Sequence, residues 1–260
     1  MQIELELNRS VDDNASGYYE KAKKARKKID GVNKAIEIAS KKLGTISDDE
    51  LRLEEKKAEK SKKVDRKKEW YEAYRYFFTT NNFLVIAGRD ANTNEQIIKS
   101  HLEKDDLVFH TDMPGSPFGI LKTNGSEPTA IDIDETAQFI ASYSKAWSRG
   151  LATSEIYYVN SDQVTKEAKA GEYMSKGSFM IYGKRNYLNP ILKIVIANVD
   201  GVIVASTPSA IKNKTNNYVT LVQGSVKAST LAKDIRSLIS GELDDIIRLI
   251  PSGGSKLVKR

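Results

Sequence analysis

A heptad pattern near the N terminus constrains the fold of this chain more than any other feature of its sequence. Apolar residues recur at alternating spacings of four and three over Tyr18, Ala22, Ala25, Ile29, Val32, Ile36, Ala39 and Leu43. This is the a/d seam of a coiled coil. At a rise of about 1.5 Å per residue, the helix is on the order of 40 Å long. Such a seam pairs with another helix, so a protein-interaction scaffold and a homo-oligomer through the coiled coil are alternatives from the start.

A second helix is predicted to fold back along the first. Gly44 can adopt the left-handed conformation that ends a helix, and Ser47 with Glu50 fits a capping box for the next helix. That helix is predicted over residues 48–78, where an aromatic cluster docks on a globular core. Because a short turn joins the two helices, residues 14–78 are predicted to form an antiparallel coiled-coil hairpin. Residues 1–13 are predicted to be a connection from an upstream domain.

The faces of the first helix outside the seam carry a cluster of cations. This coiled-coil basic face consists of Lys21, Lys23, Lys24, Arg26, Lys27 and Lys28, with Glu20 beside it. A solvated coiled-coil surface explains it without a ligand. Alternatively, a rigid basic rod neutralises nucleic-acid phosphates and releases their counterions. The residues alone leave both interpretations open.

In residues 79–260, strand patterns outnumber helix patterns. Strands are predicted at 83–87, 107–110, 118–121, 156–159, 178–182, 192–197, 202–205 and 218–222, and helices at 94–102, 134–149, 227–239 and 243–249. Several strands are adjacent along the chain, which favours hairpins. The predicted fold class is therefore α+β: a long antiparallel helical hairpin, then a compact domain with a mixed, largely antiparallel sheet and flanking helices.

Composition narrows the chemistry. The 260 residues include no Cys and two His, which excludes disulfides, Cys-ligated zinc and thiol catalysis and disfavours a multi-histidine metal site. The formal net charge of +6 suits RNA binding without requiring it. No signal-peptide pattern and no membrane-length apolar run is visible, so we expect a cytoplasmic protein without membrane contact. No metal and no cofactor is predicted.

One short motif has a catalytic interpretation. In His110-Thr111-Asp112, an imidazole and a carboxylate lie on the same side of a strand end, and with Arg89 they suit a nuclease or hydrolase. Phosphate-binding glycine loops and a nucleophile elbow are missing from the sequence. We favour a hydrogen-bonded His110 that shapes the following turn, and we predict no catalytic residue.

Cations beside predicted strand ends are candidates for RNA contact. Arg89 can make a planar bidentate contact with a phosphate or a base edge, while Asp90 either orients Arg89 or caps the next helix. The run Lys184-Arg185-Asn186-Tyr187 combines two cations with a stacking ring, which suits an unstacked RNA loop. Weaker candidates are Lys122, Lys145 and Lys176.

Several ordered motifs resemble the NFACT-R family. They are Gly88-Arg89-Asp90-Ala91 with Asn94, His110-Thr111-Asp112-Met113-Pro114-Gly115-Ser116, Ser142-Tyr143-Ser144-Lys145-Ala146-Trp147, Gln163-Val164, Gly171-Glu172-Tyr173, and Lys176 to Tyr187. Residues 14–21 resemble the start of the coiled coil that precedes NFACT-R in those proteins. Thr111 and Ser116 stand where the family often has Ala.

The resemblance implies the C-terminal half of an archaeal ribosome quality-control factor of the RqcH and NEMF family. Such proteins bind the large ribosomal subunit with a stalled nascent chain, recruit tRNA and support template-free C-terminal tailing. The expected partners are therefore tRNA and the large ribosomal subunit, both rRNA and proteins. The N-terminal NFACT-N half has no counterpart here, and 79–260 correspond to the NFACT-R domain. The resemblance adds Asn94, His110 and Asp112 to the expected RNA-binding residues.

Overall fold

The computed structural model describes residues 4–60, 68–167 and 174–258, and for residues 41–60 it describes the backbone alone. The chain divides into two units, Met1–Lys67 and Lys68–Arg260. The first unit contains a long helix, α1 (Val11–Lys60), and the second contains the sheets. Within the described residues, no helix is both long and apolar enough to cross a membrane. The predicted α+β class is confirmed.

Local hydrogen bonds fix the start of α1. The Asn14 side chain accepts from the amide of Glu6 at 2.9 Å and donates to the carbonyls of Glu6 at 3.1 Å and Ser10 at 3.0 Å. Residues 4–10 form a turn and no strand. Along the helix, the basic face is exposed, and the seam residues Ile29, Val32 and Ile36 are each 57% exposed.

The predicted helix end at Gly44 is wrong, because α1 continues through Gly44 and Ser47 to Lys60. An internal glycine costs a helix about 1 kcal/mol relative to alanine, and good helix formers such as Lys41, Lys42 and Leu43 before it and Leu51 and Leu53 further on offset that cost. The second predicted helix is also wrong at its end, where Trp70–Ala73 is a 3₁₀ turn and Arg75–Phe78 is a strand. Residues 61–67 lie outside the described residues, so the pairing of two helices stays a prediction.

The second unit is built from short strands and helices. The strands are β1 (Arg75–Phe78), β2 (Leu84–Ala87), β3 (Leu107–His110), β4 (Gly119–Lys122), β5 (Ile156–Asn160), β6 (Val164–Thr165), β7 (Met180–Ile181), β8 (Asn186–Leu188), β9 (Ile194–Val199), β10 (Val202–Ser206), β11 (Tyr218–Val226) and β12 (Ser255–Val258). The helices are α2 (Ala91–His101), α3 (Ala130–Ser142), α4 (Lys145–Ser148), α5 (Pro208–Ile211), α6 (Ala228–Ile239) and α7 (Leu243–Leu249).

These strands form three antiparallel sheets. The largest has six strands in the order β1-β2-β4-β3-β5-β8, the second has four in the order β10-β9-β11-β12, and β6 pairs with β7. β2 and β1 form a hairpin in which Phe77 lies opposite Val85. Asn82, with φ at 65°, completes the turn between them. The hairpin adds an edge strand that the sequence pattern had assigned to a helix.

Alternating apolar residues give the six-stranded sheet two buried faces. On one face, Val85 and Phe109 belong to a core that includes Phe139 of α3 and Ile194 of the second sheet. On the other face, Ile86 and Val108 pack with Ile97 of α2. The sheet therefore lies between α2 and α3, and the loops at its ends are held by two helices.

The predicted helix 134–149 is interrupted. α3 ends at Ser142, and Ser144 caps a separate turn, α4, by accepting from the amide of Ala146 at 3.2 Å. A capping box between Thr129 and Asp132 starts α3. Glu135 instead accepts from the Thr80 hydroxyl at 2.6 Å. The break turns the α3–α4 junction towards the ends of the strands.

Candidate nucleic-acid interface

Loops at one end of the six-stranded sheet surround a cleft of about 730 Å³. Its walls come from the β2–α2 junction, the β3–β4 loop, the α3–α4 junction, residues 175–181 and the residue before β8. The described side chains that line it include the cations Arg75, Arg89, Lys145, Lys176 and Arg185, and the acids Asp90 and Asp112. We call this site the cationic cleft. Separate sequence motifs, including Asn94 and His110, meet in it.

Arg75 lies in the cleft although the sequence interpretation missed it. Its Nη1 donates to the Gly88 carbonyl at 2.8 Å, and its guanidinium carbon lies 4.5 Å from the centroid of the Tyr143 ring. The Nε atom is buried and has no hydrogen-bond partner among the described residues. Burial lowers the pKa of Arg75, and the nearby charge of Arg89 lowers it further. Positive charge is thus concentrated at this end of the cleft.

Arg89 and Asp90 have different roles at the start of α2. The exposed Arg89 side chain donates through Nη2 to the Tyr74 carbonyl at 3.0 Å. Asp90 caps α2, since its Oδ1 accepts from the amide of Thr93 at 2.9 Å. Hydrogen bonds from Thr93 lower the pKa of the Asp90 carboxyl. The helix-capping alternative for Asp90 is therefore the one observed.

Asn94 connects α2 to the β3–β4 loop. Its Oδ1 accepts from the amide of Phe118 at 3.0 Å, and the side chain is buried. A Cβ atom at Gly88 would overlap Asn94 Oδ1, so only glycine allows this close approach. Asn94 thus uses its carbonyl oxygen to hold the wall of the cleft, and its contact with RNA stays a prediction.

His110 and Asp112 take separate partners. The Nδ1–H group of His110 donates to the Pro117 carbonyl at 2.9 Å, and the ring stacks on Phe118 with centroids 3.8 Å apart. Burial lowers the pKa of His110, which keeps the imidazole neutral at neutral pH. Asp112 pairs with Arg185 at 2.9 Å. The contacts of His110 are therefore those of a residue that shapes the turn, while the charge of Asp112 still acts on its ring.

Two buried hydroxyls hold the β3–β4 loop together. Thr111 and Ser116 are 1% and 2% exposed, and Thr111 Oγ1 donates to Ser116 Oγ at 2.7 Å. Thr111 Oγ1 also accepts from the amide of Met113 at 3.3 Å. The two side chains are therefore in direct contact.

Removing one of the two hydroxyls is expected to lower the free energy of unfolding by more than half of what the double variant loses. Thr111→Ala or Ser116→Ala leaves the other buried hydroxyl without its partner, which costs about 1–3 kcal/mol. The double variant Thr111→Ala/Ser116→Ala removes both groups, so a coupling of about 1 kcal/mol is expected in a double-mutant cycle of urea unfolding. Strict additivity of the two single changes would show that the contact has no energetic effect.

Arg185 is held in place on the opposite wall. Besides its ion pair with Asp112, its guanidinium carbon lies 4.6 Å from the centroid of the Tyr157 ring. Burial is the main cause that raises the pKa of Tyr157 to about 12, so this ring stays neutral. Tyr187, 49% exposed, packs edge-on against Tyr157 with centroids 5.7 Å apart. An exposed ring thus lies beside Arg185, close to the cleft.

Glu95 fixes the segment that carries Lys176. Its carboxylate accepts from the amide of Gly177 at 3.1 Å and pairs with Lys166 at 2.6 Å and Lys99 at 2.8 Å. The hydrogen bond from Lys166 is the main cause that lowers the pKa of Glu95 to about 2. Lys176 itself is exposed. Of the resemblance motifs, Gly171-Glu172-Tyr173 lies outside the described residues.

Lys122 does not fit its predicted role. It is 5% exposed, and its ammonium group pairs with Asp106 Oδ2 at 2.6 Å and with Glu103 Oε2 at 3.0 Å. A buried, ion-paired ammonium has no free face for a phosphate, which counts against the predicted contact between Lys122 and RNA. The charge holds β4 to the turn before β3.

Other predicted residues lie outside the lining of the cleft. Lys184 is exposed, and Asn186 and Tyr187 belong to the edge strand β8, next to Arg185. These residues lie at the border of the cleft because their chain neighbour Arg185 lines it. The basic face of α1 belongs to the other unit and forms a separate cationic surface. The signal that would have revealed Arg75 was the aromatic run after it, followed by Thr80-Asn81-Asn82, which together indicate a hairpin.

Comparison with known proteins identifies the class of this domain. Residues 73–183 match the family model described as the NFACT protein RNA binding domain. The chain therefore carries a domain of the NFACT RNA-binding family, together with a long preceding helix. This confirms the resemblance found in the motifs.

Its relatives are ribosome quality-control proteins. The chain is 35% identical over 207 residues to the archaeal Rqc2 homolog aRqcH of Methanocaldococcus jannaschii. This alignment covers 76% of this chain and 31% of that protein. It is 35% identical over 182 residues to the ribosome quality control complex subunit NEMF of Homo sapiens, covering 68% of this chain and 16% of NEMF. The chain thus spans about a third of the archaeal relative. The C-terminal part of a fibronectin/fibrinogen-binding protein from Streptococcus suis aligns with a TM-score of 0.40 at 16% identity, over 51% of this chain and 49% of that one.

Proposed function

We propose that this chain is the non-enzymatic RNA-binding part of a cytoplasmic ribosome quality-control factor. In the full-length protein, which has an additional NFACT-N half, it contacts tRNA and the large ribosomal subunit that carries a stalled nascent chain. There it supports template-free addition of C-terminal residues. The observation that carries this proposal is that cationic motifs from separate parts of the sequence meet in one cleft within the matched RNA-binding domain.

Two cationic surfaces support the proposal. The cationic cleft has five basic and two acidic side chains among its described lining residues. The basic face of α1 is exposed from Lys21 to Lys28. Cations on a folded surface attract RNA phosphates and release their counterions. The exposed seam of α1 also fits pairing with a second helix, from another copy of the chain or from a partner.

The salt dependence of tRNA binding tests the proposal. For about five phosphate contacts, affinity is expected to fall on the order of 10²–10³-fold between about 50 and 200 mM salt. Fluorescence anisotropy with labelled tRNA measures this slope. The matched control is an unrelated folded protein of the same formal net charge of +6. If that control binds tRNA as tightly as this chain, the proposed function is wrong.

A further inference from the structure

Arg75, Arg89 and Lys145 differ from the other wall of the cationic cleft in their partners. Among the ion pairs of the described residues, none includes Arg75, Arg89 or Lys145. Arg75 and Arg89 donate to backbone carbonyls, which leave a net positive charge in place. Asp90 acts electrostatically on Arg75, and its carboxylate also accepts a hydrogen bond from the amide of Thr93. An anion bound here would therefore stabilise positive charge that no ion pair among the described residues offsets.

All three cations line the same cleft. Arg75 lies over the Tyr143 ring, and the charges of both Arg75 and Arg89 act on the Tyr143 hydroxyl. Lys145 follows Tyr143 by two residues and lines the same cleft, with its stem next to Gly115. Arg75 is partly buried beneath, whereas Arg89 and Lys145 are exposed. Arg89 and Lys145 are thus placed to contact a ligand, and Arg75 adds positive potential from below.

The rest of the cleft is suited to a planar, partly apolar group. Its volume of about 730 Å³ lies within the range of about 300–1,000 Å³ typical of sites that enclose small ligands. Half-buried Met113, Phe179 and Met180 contribute apolar surface to its walls. A concave site of this size accepts an unstacked nucleotide, whereas paired bases remain inside a helix. The opposite wall differs, because Arg185 is already paired with Asp112.

We propose that the cationic cleft binds a single unpaired nucleotide, with its phosphate at Arg89 and Lys145. The base lies against the apolar wall that includes Phe179. This inference rests on the proposed RNA-binding function and specifies its ligand as a nucleoside phosphate group, supplied by a single-stranded RNA segment. A free mononucleotide has the same chemistry, so it is tested separately.

The experiment compares three probes on the whole chain by isothermal titration calorimetry. The probes are adenosine 5′-monophosphate, a single-stranded RNA hexanucleotide and an RNA duplex of six base pairs. The charge variants are Arg89→Ala and Lys145→Ala. Ser178→Trp fills the cleft from an exposed lining position without changing any charge. The control, Lys233→Ala, removes the same charge from an exposed site on α6 that does not line the cleft.

Each charge variant is expected to weaken hexanucleotide binding about 10-fold or more, as for the loss of a charged hydrogen bond. Ser178→Trp is expected to abolish binding of the hexanucleotide and the mononucleotide while leaving duplex binding within about two-fold, since a duplex uses exposed cations outside the cleft. Lys233→Ala is expected to match the wild type. Thermal unfolding of every variant shows whether the fold is kept.

Three results separate a failure of the cleft proposal from a failure of the proposed RNA-binding function. If the chain binds RNA but the cleft variants bind the hexanucleotide like the wild type, the cleft proposal is wrong and the RNA-binding function stands. Equal affinity for duplex and single strand, with equal sensitivity to Ser178→Trp, also overturns the cleft proposal. If only the mononucleotide binds, and does so through Arg89 and Lys145, the site is supported and the RNA-binding function is wrong.

Discussion

Replacing Lys122 with alanine is expected to lower the free energy of unfolding by about 3–5 kcal/mol, the usual cost of removing one member of a buried ion pair. Lys122 is 5% exposed and Asp106 is 1% exposed. The ammonium group donates to Asp106 Oδ2 at 2.6 Å and to the His101 carbonyl at 2.9 Å. Without it, Asp106 is a buried carboxylate whose charge has lost its partner. Urea unfolding measures the loss.

Two control variants separate this effect from the loss of a surface charge. Lys104→Ala removes an exposed ammonium nearby and should change the free energy of unfolding by less than about 0.5 kcal/mol. Lys122→Met keeps most of the side-chain volume but removes the ammonium group, so it should still lose much of the stability that Lys122→Ala loses. A Lys122→Ala protein that is as stable as the wild type but binds RNA more weakly would restore Lys122 to the RNA interface.

Reversing three charges at the cleft is expected to have the largest effect on binding. Arg89→Glu/Lys184→Glu/Arg185→Glu removes three cations and adds three anions at and beside the cationic cleft. Each lost phosphate contact is worth roughly 10-fold in affinity, and the new anions repel RNA. The affinity for tRNA should fall on the order of 10³-fold or more, measured by fluorescence anisotropy.

The matched control for this variant is Lys104→Glu/Lys233→Glu/Lys256→Glu. All three lysines are exposed, belong to the same unit and do not line the cleft. Each reversal changes the charge by two, so three reversals take either variant from a formal net charge of +6 to 0. If both variants lose affinity equally, the attraction is general and the cleft is the wrong surface. Circular dichroism and thermal unfolding show whether each variant keeps its fold.

Strands with strong local patterns were predictable from the sequence. Leu107–His110 has the bounds that the pattern gave, because an apolar run ends there at turn-forming residues. The same holds for α7 (Leu243–Leu249) and, within one residue, for α6. The motifs around Arg89 and His110 follow such strands, so their presence at one edge of the sheet was within reach of sequence reasoning.

Features that depend on distant partners were not predictable. Arg75–Phe78 follows a Lys-rich stretch whose sequence pattern favours a helix. It forms a strand by pairing with β2. β8 has three residues, too few for a periodic pattern, and β12 alternates Lys256 with Leu257 beside a glycine-rich turn, where its pairing with β11 defines it. Lys122 has the sequence context of an exposed cation, and its burial depends on Asp106, sixteen residues away. Tertiary contacts thus determine the strand that contains Arg75 and the burial of Lys122, and neither is visible in the local sequence.

A structure of this chain bound to a large ribosomal subunit that carries tRNA is the most direct test of RNA binding through the cationic cleft. The proposal predicts RNA phosphates within about 3 Å of Arg89 and Lys145. It places Lys184, Arg185 and Tyr187 next to the same RNA strand. It also predicts an unpaired nucleotide inside the cleft. A complex in which the cleft faces solvent or protein, and RNA contacts lie only elsewhere on the chain, would contradict it.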